Sequence, residues 1–489
     1  MLMKINKMQF KYVVTALIGC AIQLSACTVG PDYVKPTAEV PAAYLEIGDW
    51  KLAQPKDEVI RGAWWEVFND PQLNSLEEQV AVSNQNVLQA EALLRQAYAL
   101  VRAAQAGYAP AVSAGASATR SRRSSNLVTG QVSDSGITND YLLPVSVSWE
   151  LDLWGRIRRT VEAGQANAQA SSADLAAVRL SAQAELAQDY FQLCMLEVQK
   201  ELLESTVSSY QKSLDLTKNR YVGGIAAKPD VLEAETQLKS TQAQSIDTDV
   251  QIAQFRHAIA LLIGRPASGF ALSTLPRVVA PPGIPVGLPS GLLEQRPDIA
   301  MAERKVAAAN AQIGVTEAAF FPTVTLAASG GLEASSLIKW ATWPSRFWAV
   351  GPSVSQQLFD GGLRIAQGDQ ARAAYDATVA SYRQTVLTGF QEVEDNLAAL
   401  RILEEEDRVQ NEAVRAAEQT TAMITNQYKA GTTSYLSVII TQAAELANKR
   451  TAVGILGRRM SASVSLIKAL GGGWDSSSMR MEEARAQKR

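Results

Sequence analysis

One histidine, His257, serves all 489 residues. A Ser-His-Asp relay, an imidazole acid–base step or a histidine zinc site would have to run through that single side chain. It stands in AQFRHAIALL, a helical stretch where a packed or half-exposed imidazole is the expected reading. No phosphate-cradling or dinucleotide glycine fingerprint accompanies it. The charge is nearly balanced, 46 basic against 49 acidic residues, with no like-charged block to grip a nucleic acid. These residues argue against an enzyme and call for no cofactor and no metal.

The chemistry the sequence does offer lies at the N-terminus. Lys4, Lys7 and Lys11 form a basic region, YVVTALIGCAIQ a short apolar one, and LSAC (24–27) resembles a bacterial lipoprotein cleavage box. Cleavage there would leave Cys27 as the acylated first residue. Thr28 rather than Asp at the next position resembles lipoproteins sorted to the outer membrane. Several acyl chains on one thiol hold firmly, since each buried methylene adds about 0.8 kcal/mol. Acylation of Cys27 leaves Cys194 without a disulfide partner, so packing must supply the stability. No other stretch offers eighteen consecutive apolar residues, so after processing any membrane crossing must be a closed barrel.

Two further stretches, RYVGGIAAKPDVL (220–232) and QYKAGTTSYLSVI (427–439), each interrupt a very long helical pattern. Tyr221 and Tyr428 lie 207 positions apart (428 − 221), and the same offset carries Gly224 onto Gly431, Val231 onto Val438 and Gly264 onto Gly471. Upstream the offset becomes 212 (322 − 110), with Pro110 on Pro322. A constant offset over so long a span marks a tandem duplication.

Each half reads as helix, hairpin, long helix, turn, helix. The first helix spans 70–106, with Asp70 as N-cap and Pro71 at the first helical position. Strand alternation follows in VSAGASATR (112–120) and PVSVSWELDL (144–153), joined by a polar surface loop (121–140). From about 158 to 222, Leu175, Val178, Ala182, Leu186, Tyr190 and Leu193 keep a 3–4 spacing. Val379, Tyr382, Val386, Phe390, Val393, Leu397 and Leu400 repeat it. This is a coiled-coil-like seam, rich in alanine. Roughly 65 helical residues at about 1.5 Å each give a rod of roughly 100 Å. Shorter helices are expected at 229–263, 297–319 and 434–470, with an extended proline-rich link at 277–290.

Two hairpins supply four strands of about ten residues, the length of a tilted membrane strand. Four strands cannot close; about eight is the minimum, and that size is filled by its own side chains. An open duct therefore wants at least three chains. Trp149, Trp340, Trp343 and Trp348 sit at or beside the strands, as an aromatic belt would.

CTVGPDYVKP (27–36), WWEVFNDPQLNSL (64–76), SWELDLWGR (148–156), LLEQRPDIAMAE (292–303), AAFFPTVTL (318–326), LFDGG (358–362) and LIKALGGGW (466–474) resemble the TolC/OprM family of outer-membrane factors, in its NodT-like lipoprotein branch. The resemblance implies a mixed α/β membrane protein with four β-strands and long coiled-coil helices per chain. Three chains would make a twelve-stranded outer-membrane barrel continuing into a periplasmic helical barrel. The implied partners are the chain itself as a homotrimer, outer-membrane lipid, a periplasmic membrane-fusion adaptor and an inner-membrane pump, commonly of the resistance–nodulation–division class. The segments read as a signal peptide (1–26), a lipid-anchored N-terminal segment with equatorial contacts (27–69), repeat one (70–264), an equatorial linker (265–295), repeat two (296–471) and a tail (472–489). A duct for type I protein secretion and a pore-free periplasmic coiled-coil scaffold stay open as alternatives to small-molecule efflux.

In that family the two turns form the periplasmic entrance and dock the adaptor. Here Arg220, Tyr221, Gly223 and Gly224 match the first tip, and Tyr428, Gly431, Tyr435 and Leu436 the second. The glycines are expected to supply positive φ. Asp230 reads equally as a gate residue or as an acid favouring its own helix start. Where many relatives carry an acid in the second tip, this chain has Val438, Ile439 and Ile440. The expectation is an apolar constriction, with Val438 or Ile439 facing the axis.

Overall fold

The structure is a computed structural model that describes residues 28–47, 62–122, 124, 137–272, 280–284, 291 and 294–475. Cys27, the leader, most of the 277–290 link and the tail beyond Asp475 lie outside the described residues. The ordered elements are helices α1 (Pro71–Ser83) and α2 (Gln85–Gln105), strands β1 (Ala111–Ala114), β2 (Ser117–Arg122) and β3 (Ile137–Leu151), and helices α3 (Arg156–Val222) and α4 (Lys228–Leu262). The second half gives α5 (Pro297–Ala318), β4 (Thr323–Ala334), β5 (Arg346–Ser355), α6 (Leu363–Ala430) and α7 (Tyr435–Ala469). Among the described residues no helix is long and apolar enough to cross a membrane. The chain divides into two compact units.

One unit comprises the chain up to Pro36 with Arg95–Gln169 and Glu303–Ser381. Its strands form one antiparallel sheet in which β1 and β2 both pair with β3, β3 with β4 and β4 with β5. The two hairpins are thus joined through β3 and β4, a pairing that local pattern does not reveal. Pro144 lies inside β3, not at its start, and the strand begins seven residues earlier, at Ile137. Lacking an N–H, Pro144 cannot complete the ladder, and its partner strand is split there into β1 and β2. On its other side Pro144 faces Gly331, where a Cβ would come within 2.0 Å of the Leu143 carbonyl oxygen. The alternating stretch FWAVGPSVSQQLF (347–359) runs four residues past Ser355, where β5 ends.

Register sorts the side chains, because directly paired residues share a face. One face carries the rows Leu151–Val324–Val354, Trp149–Leu326–Pro352, Val147–Ala328–Val350 and Val145–Gly330–Trp348. The other carries Glu150–Thr325–Ser353, Ser148–Ala327–Gly351 and Ser146–Ser329–Ala349. On β3 and β4 this face continues through Leu143–Leu332, with Arg346 at the β5 edge, to Tyr141–Ala334, about 34 Å of strand or about 25 Å at a 40° tilt, the height of the apolar band of a membrane barrel. The tryptophans do not form one belt: Trp149 lies near the helix end of β3, Trp348 two rows further along, and Trp343 in the β4–β5 connection.

In the same unit the chain after Cys27 is pinned. The Val29 N–H donates to the Trp154 carbonyl at 3.2 Å, and Thr28 packs against Gly155, where β3 passes into α3. Arg159 is buried and fastens this strap, pairing with Asp32 (3.0 Å) and Glu162 (2.8 Å) and donating to the Val29 and Gly30 carbonyls.

The other unit comprises Thr37–Leu94, Ala170–Ala302 and the chain from Tyr382 onward. The expected seam is its core: Leu186, Leu193, Val393 and Leu397 are all fully buried, as are Tyr190 and Tyr382. The predicted helix over 70–106 is two helices, broken at Asn84. That residue is extended (φ −65°, ψ 125°), its Oδ1 accepts from the Asn86 and Val87 N–H groups, and its Nδ2 donates to the Leu262 carbonyl. One side chain thus caps the start of α2 and the end of α4. At the 212 offset stands Arg296, which donates to the Ala469 carbonyl at the end of α7 while pairing with Asp298 and Glu392. Gly264 and Gly471 take positive φ at these helix ends. A Cβ on Gly264 would meet the Ser83 oxygen at 2.2 Å, and one on Gly471 the Gln295 oxygen at 2.0 Å. The bond to the helix end is therefore repeated in three dimensions, Asn84 to Leu262 and Arg296 to Ala469, whereas the accepting oxygen of Asn84 has no counterpart on the guanidinium.

Candidate functional site at the helical tips

Both turns close with the same pair of bonds, 207 positions apart. In the first tip the Gly224 N–H donates to the Tyr221 carbonyl (2.9 Å) and the Ile225 N–H to that of Arg220 (2.8 Å). In the second, Gly431 donates to Tyr428 (3.0 Å) and Thr432 to Gln427 (3.0 Å). This is the Schellman closure of a helix, which requires a left-handed residue just past the last turn. Gly224 (φ 74°) and Gly431 (φ 79°) supply it; Gly223 does not adopt positive φ, so the conformation does not demand a glycine there. After the first turn Pro229 opens α4, and the Asp230 carboxylate accepts from the Ala227 N–H at 3.2 Å. Asp230 is thereby engaged in starting its own helix.

The two tips of one chain are fastened to each other. The Arg220 guanidinium lies 4.7 Å from the centre of the Tyr428 ring, and its Nη1 donates to the Lys429 carbonyl at 3.1 Å. It thus supplies a cation to an aromatic face and a donor to an otherwise unpaired carbonyl at the end of α6. Tyr428 and Tyr435 pack ring against ring at 5.2 Å and are buried with Tyr210, Leu214, Val231, Ala234, Leu238 and Val438. Burial, with Tyr428 nearby, pushes the Tyr435 hydroxyl up to about 12, so Tyr435 stays neutral.

Of the sequence-selected residues, the fold brings together Arg220, Tyr428, Tyr435 and Val438. It leaves Tyr221 and Leu436 exposed, at 44% and 54%. The Val438 expectation is corrected: its side chain is 1% exposed, inside the cluster that joins the tips, and cannot line a passage from there. Ile439 is half-buried against the same cluster, whereas Ile440 is 60% exposed. Sequence reasoning missed Thr217, fully buried with its hydroxyl 3.5 Å from that of Tyr428, and Tyr210. Tyr210, Leu214 and Thr217 recur at 3–4 spacing late in α3, so continuing the seam count into the tip finds them.

Other candidate chemistry disperses. His257 is exposed on α4. Cys194 is buried, and burial, reinforced by Asp70, pushes its thiol up to about 12, which leaves it unreactive. Among the described residues no three His, Cys, Asp or Glu side chains come together as a metal site.

Residues 76–265 and 288–472 match the family described as outer membrane efflux protein. The chain is 31% identical over 471 residues to the probable efflux pump outer membrane protein TtgC of Pseudomonas putida, covering 94% of this chain and 95% of that one. It is equally identical, over 469 residues, to the toluene efflux pump outer membrane protein TtgF of the same species, covering 94% and 96%. The solved outer-membrane channel OprN superposes with a TM-score of 0.85 at 31% identity, covering 92% of this chain and 100% of that one.

Proposed function

The chain belongs to the outer membrane efflux protein family, and from that premise we propose that it works as a homotrimer, three sheets closing into one twelve-stranded barrel in the outer membrane. The protein is the outer-membrane duct of an efflux system that runs through periplasmic and inner-membrane components. It supplies no chemical step. Its work is to hold an aqueous path through lipid and to keep that path shut until a partner engages it.

The observation that carries the trimer is the sheet itself. From the Leu151 row to the Val145 row one face is apolar, the matching rows of the other face carry Ser, Thr, Glu and small residues, and among the described residues β5 pairs only with β4. A sheet with that division and free edges is satisfied in a membrane only by closing with copies of itself, apolar face outward. Lipidation at Cys27 accompanies it. Thr28, the next residue, is held where β3 enters α3, the level at which a barrel meets the periplasmic leaflet. The tips are the surface offered to a periplasmic adaptor, and the pump beyond it is of the resistance–nodulation–division class. With Val438 withdrawn into the core, the apolar constriction falls to Leu436 and Ile440, which share a helix face at i and i+4 on α7.

The test is made on protein purified from outer membranes. Cross-linking should give a trimer, planar bilayers a small resting conductance, and Ile440→Ser a larger one. Loss of the gene should sensitise cells across a panel of toxic small molecules, and a Cys27→Ala version should restore resistance only in part. A monomer with no conductance would refute the duct assembly.

A further inference from the structure

The strands sort their charges by sign. Among the described residues the cations of β1 to β5 are Arg120, Arg122 and Arg346, and the acids are Asp140, Glu150 and Glu333. Pairing sets Arg122 beside Ile137, Arg120 beside Asn139 and Arg346 beside Leu332, which itself faces Leu143. Odd-numbered residues of β3 share the face of Trp149 and Val147, so all three arginines stand on the apolar face. The three acids fall on the polar face. The arginines also gather at one end. Arg346 lies in the row of Leu143, and Arg120 and Arg122 lie four (143 − 139) and six (143 − 137) residues beyond it. That end is remote from Arg156, where α3 begins.

The β4–β5 connection at the same end is tied down: the Thr342 and Ser345 hydroxyls both donate to the Lys339 carbonyl, at 2.6 and 2.7 Å. It nevertheless holds Ile338 92% and Trp343 76% exposed, and the Arg346 guanidinium lies 3.7 Å from the centre of the Trp343 ring. A connection built to face water alone gains nothing by presenting two large apolar side chains beside a guanidinium.

We propose that the outer end of the barrel carries, on its lipid-facing side, a site for the phosphate of an anionic membrane lipid. Arg346, Arg120 and Arg122 hold the phosphate, and Ile338 and Trp343 lie among the acyl chains. The inference rests on the barrel reading above and names the lipid that such a barrel selects. A guanidinium on the lipid face is costly at mid-depth and tolerated near the interface, which is where these three stand. No carboxylate of the described strands shares their face, so the complementary charge comes from outside the sheet. The strand cations are all arginine, whose planar fork takes phosphate oxygens in pairs, and tryptophan suits the depth at which tails meet headgroups.

The experiment compares phosphatidic acid with phosphatidylcholine, whose choline masks the phosphate charge, as lipids retained by the detergent-purified trimer in native mass spectrometry. The parent should prefer phosphatidic acid, and Arg346→Gln should lower that preference about fivefold. Arg346→Lys should recover part of it, and Arg120→Gln with Arg122→Gln should lower it independently. Glu333→Gln, an equal change of charge on the opposite face, should leave it as in the parent. The proposal is overturned by a preference that neither arginine set moves, or by one that millimolar inorganic phosphate abolishes. Loss of the trimer in phosphatidylcholine on Arg346→Gln also overturns it, since the arginine would then serve the contact between copies. A conducting parent trimer without the preference refutes this inference alone, whereas a monomer without conductance refutes the duct assembly and this inference with it.

Discussion

Replacing Glu77 by glutamine or leucine should stabilise the folded protein, and by more at pH 8 than at pH 5. Glu77 lies on α1 between Leu73, Leu76 and Val80, with 0% exposure and no hydrogen-bond partner for either carboxylate oxygen. Burial therefore holds its pKa well above the ordinary carboxylate value of 4.5. The folded state keeps the proton over a range in which the unfolded chain has released it. Stability is then fully present below the unfolded value and falls as pH rises above it, by about 1.4 kcal/mol per pH unit. Leucine adds relief of the unpaired buried oxygens, about 1–3 kcal/mol. Circular dichroism unfolding of the parent, Glu77→Gln and Glu77→Leu in detergent from pH 5 to 8 measures this. Variant and parent curves should diverge with rising pH. Parallel pH profiles, or a glutamine variant less stable than the parent at pH 8, would refute the reasoning.

Gly471→Ala should cost about 3 kcal/mol or more, since it combines positive φ with a Cβ set against the Gln295 carbonyl oxygen; melting temperature checks it, and Gly264→Ala should behave alike. Asp189 is pushed up to about 6, by burial first and by the neighbouring Glu185 second. Its contribution is therefore full below about pH 4 and lost as pH rises through 6, so Asp189→Asn should flatten the stability profile in that window. Val147→Arg, on the apolar sheet face, should cost about 2–4 kcal/mol of barrel stability and reduce heat-modifiable trimer, whereas Ser146→Arg on the opposite face should leave assembly intact and alter conductance.

The helices were legible because their signals are local. A 3–4 spacing sustained over dozens of residues predicted α3 to within a few residues and marked a matching helix through 379–400, within α6. Prolines and glycines marked the turns, and the constant offset exposed the duplication. What escaped was decided by contacts between distant segments. Asn84 breaks a helical pattern because its side chain also serves the end of α4, 178 residues away. The joining of the hairpins through β3 and β4 follows from pairing between repeats. Gly223 looks like a turn glycine, yet the left-handed residue is Gly224 alone.

By itself the sequence determined the repeat, the two tips and the apolar–polar alternation of the strands. Each is written in spacing, and spacing fixes which residues share a face. Tertiary structure decided which member of each repeated pair is buried. Tyr221 and Tyr428 occupy the same place in the same turn, but only Tyr428 has Arg220 over it and the first tip's core against it. Val438 left the expected passage for that core by the same route. Burial is conferred by whatever the rest of the chain brings alongside, so two equivalent residues can hold opposite roles.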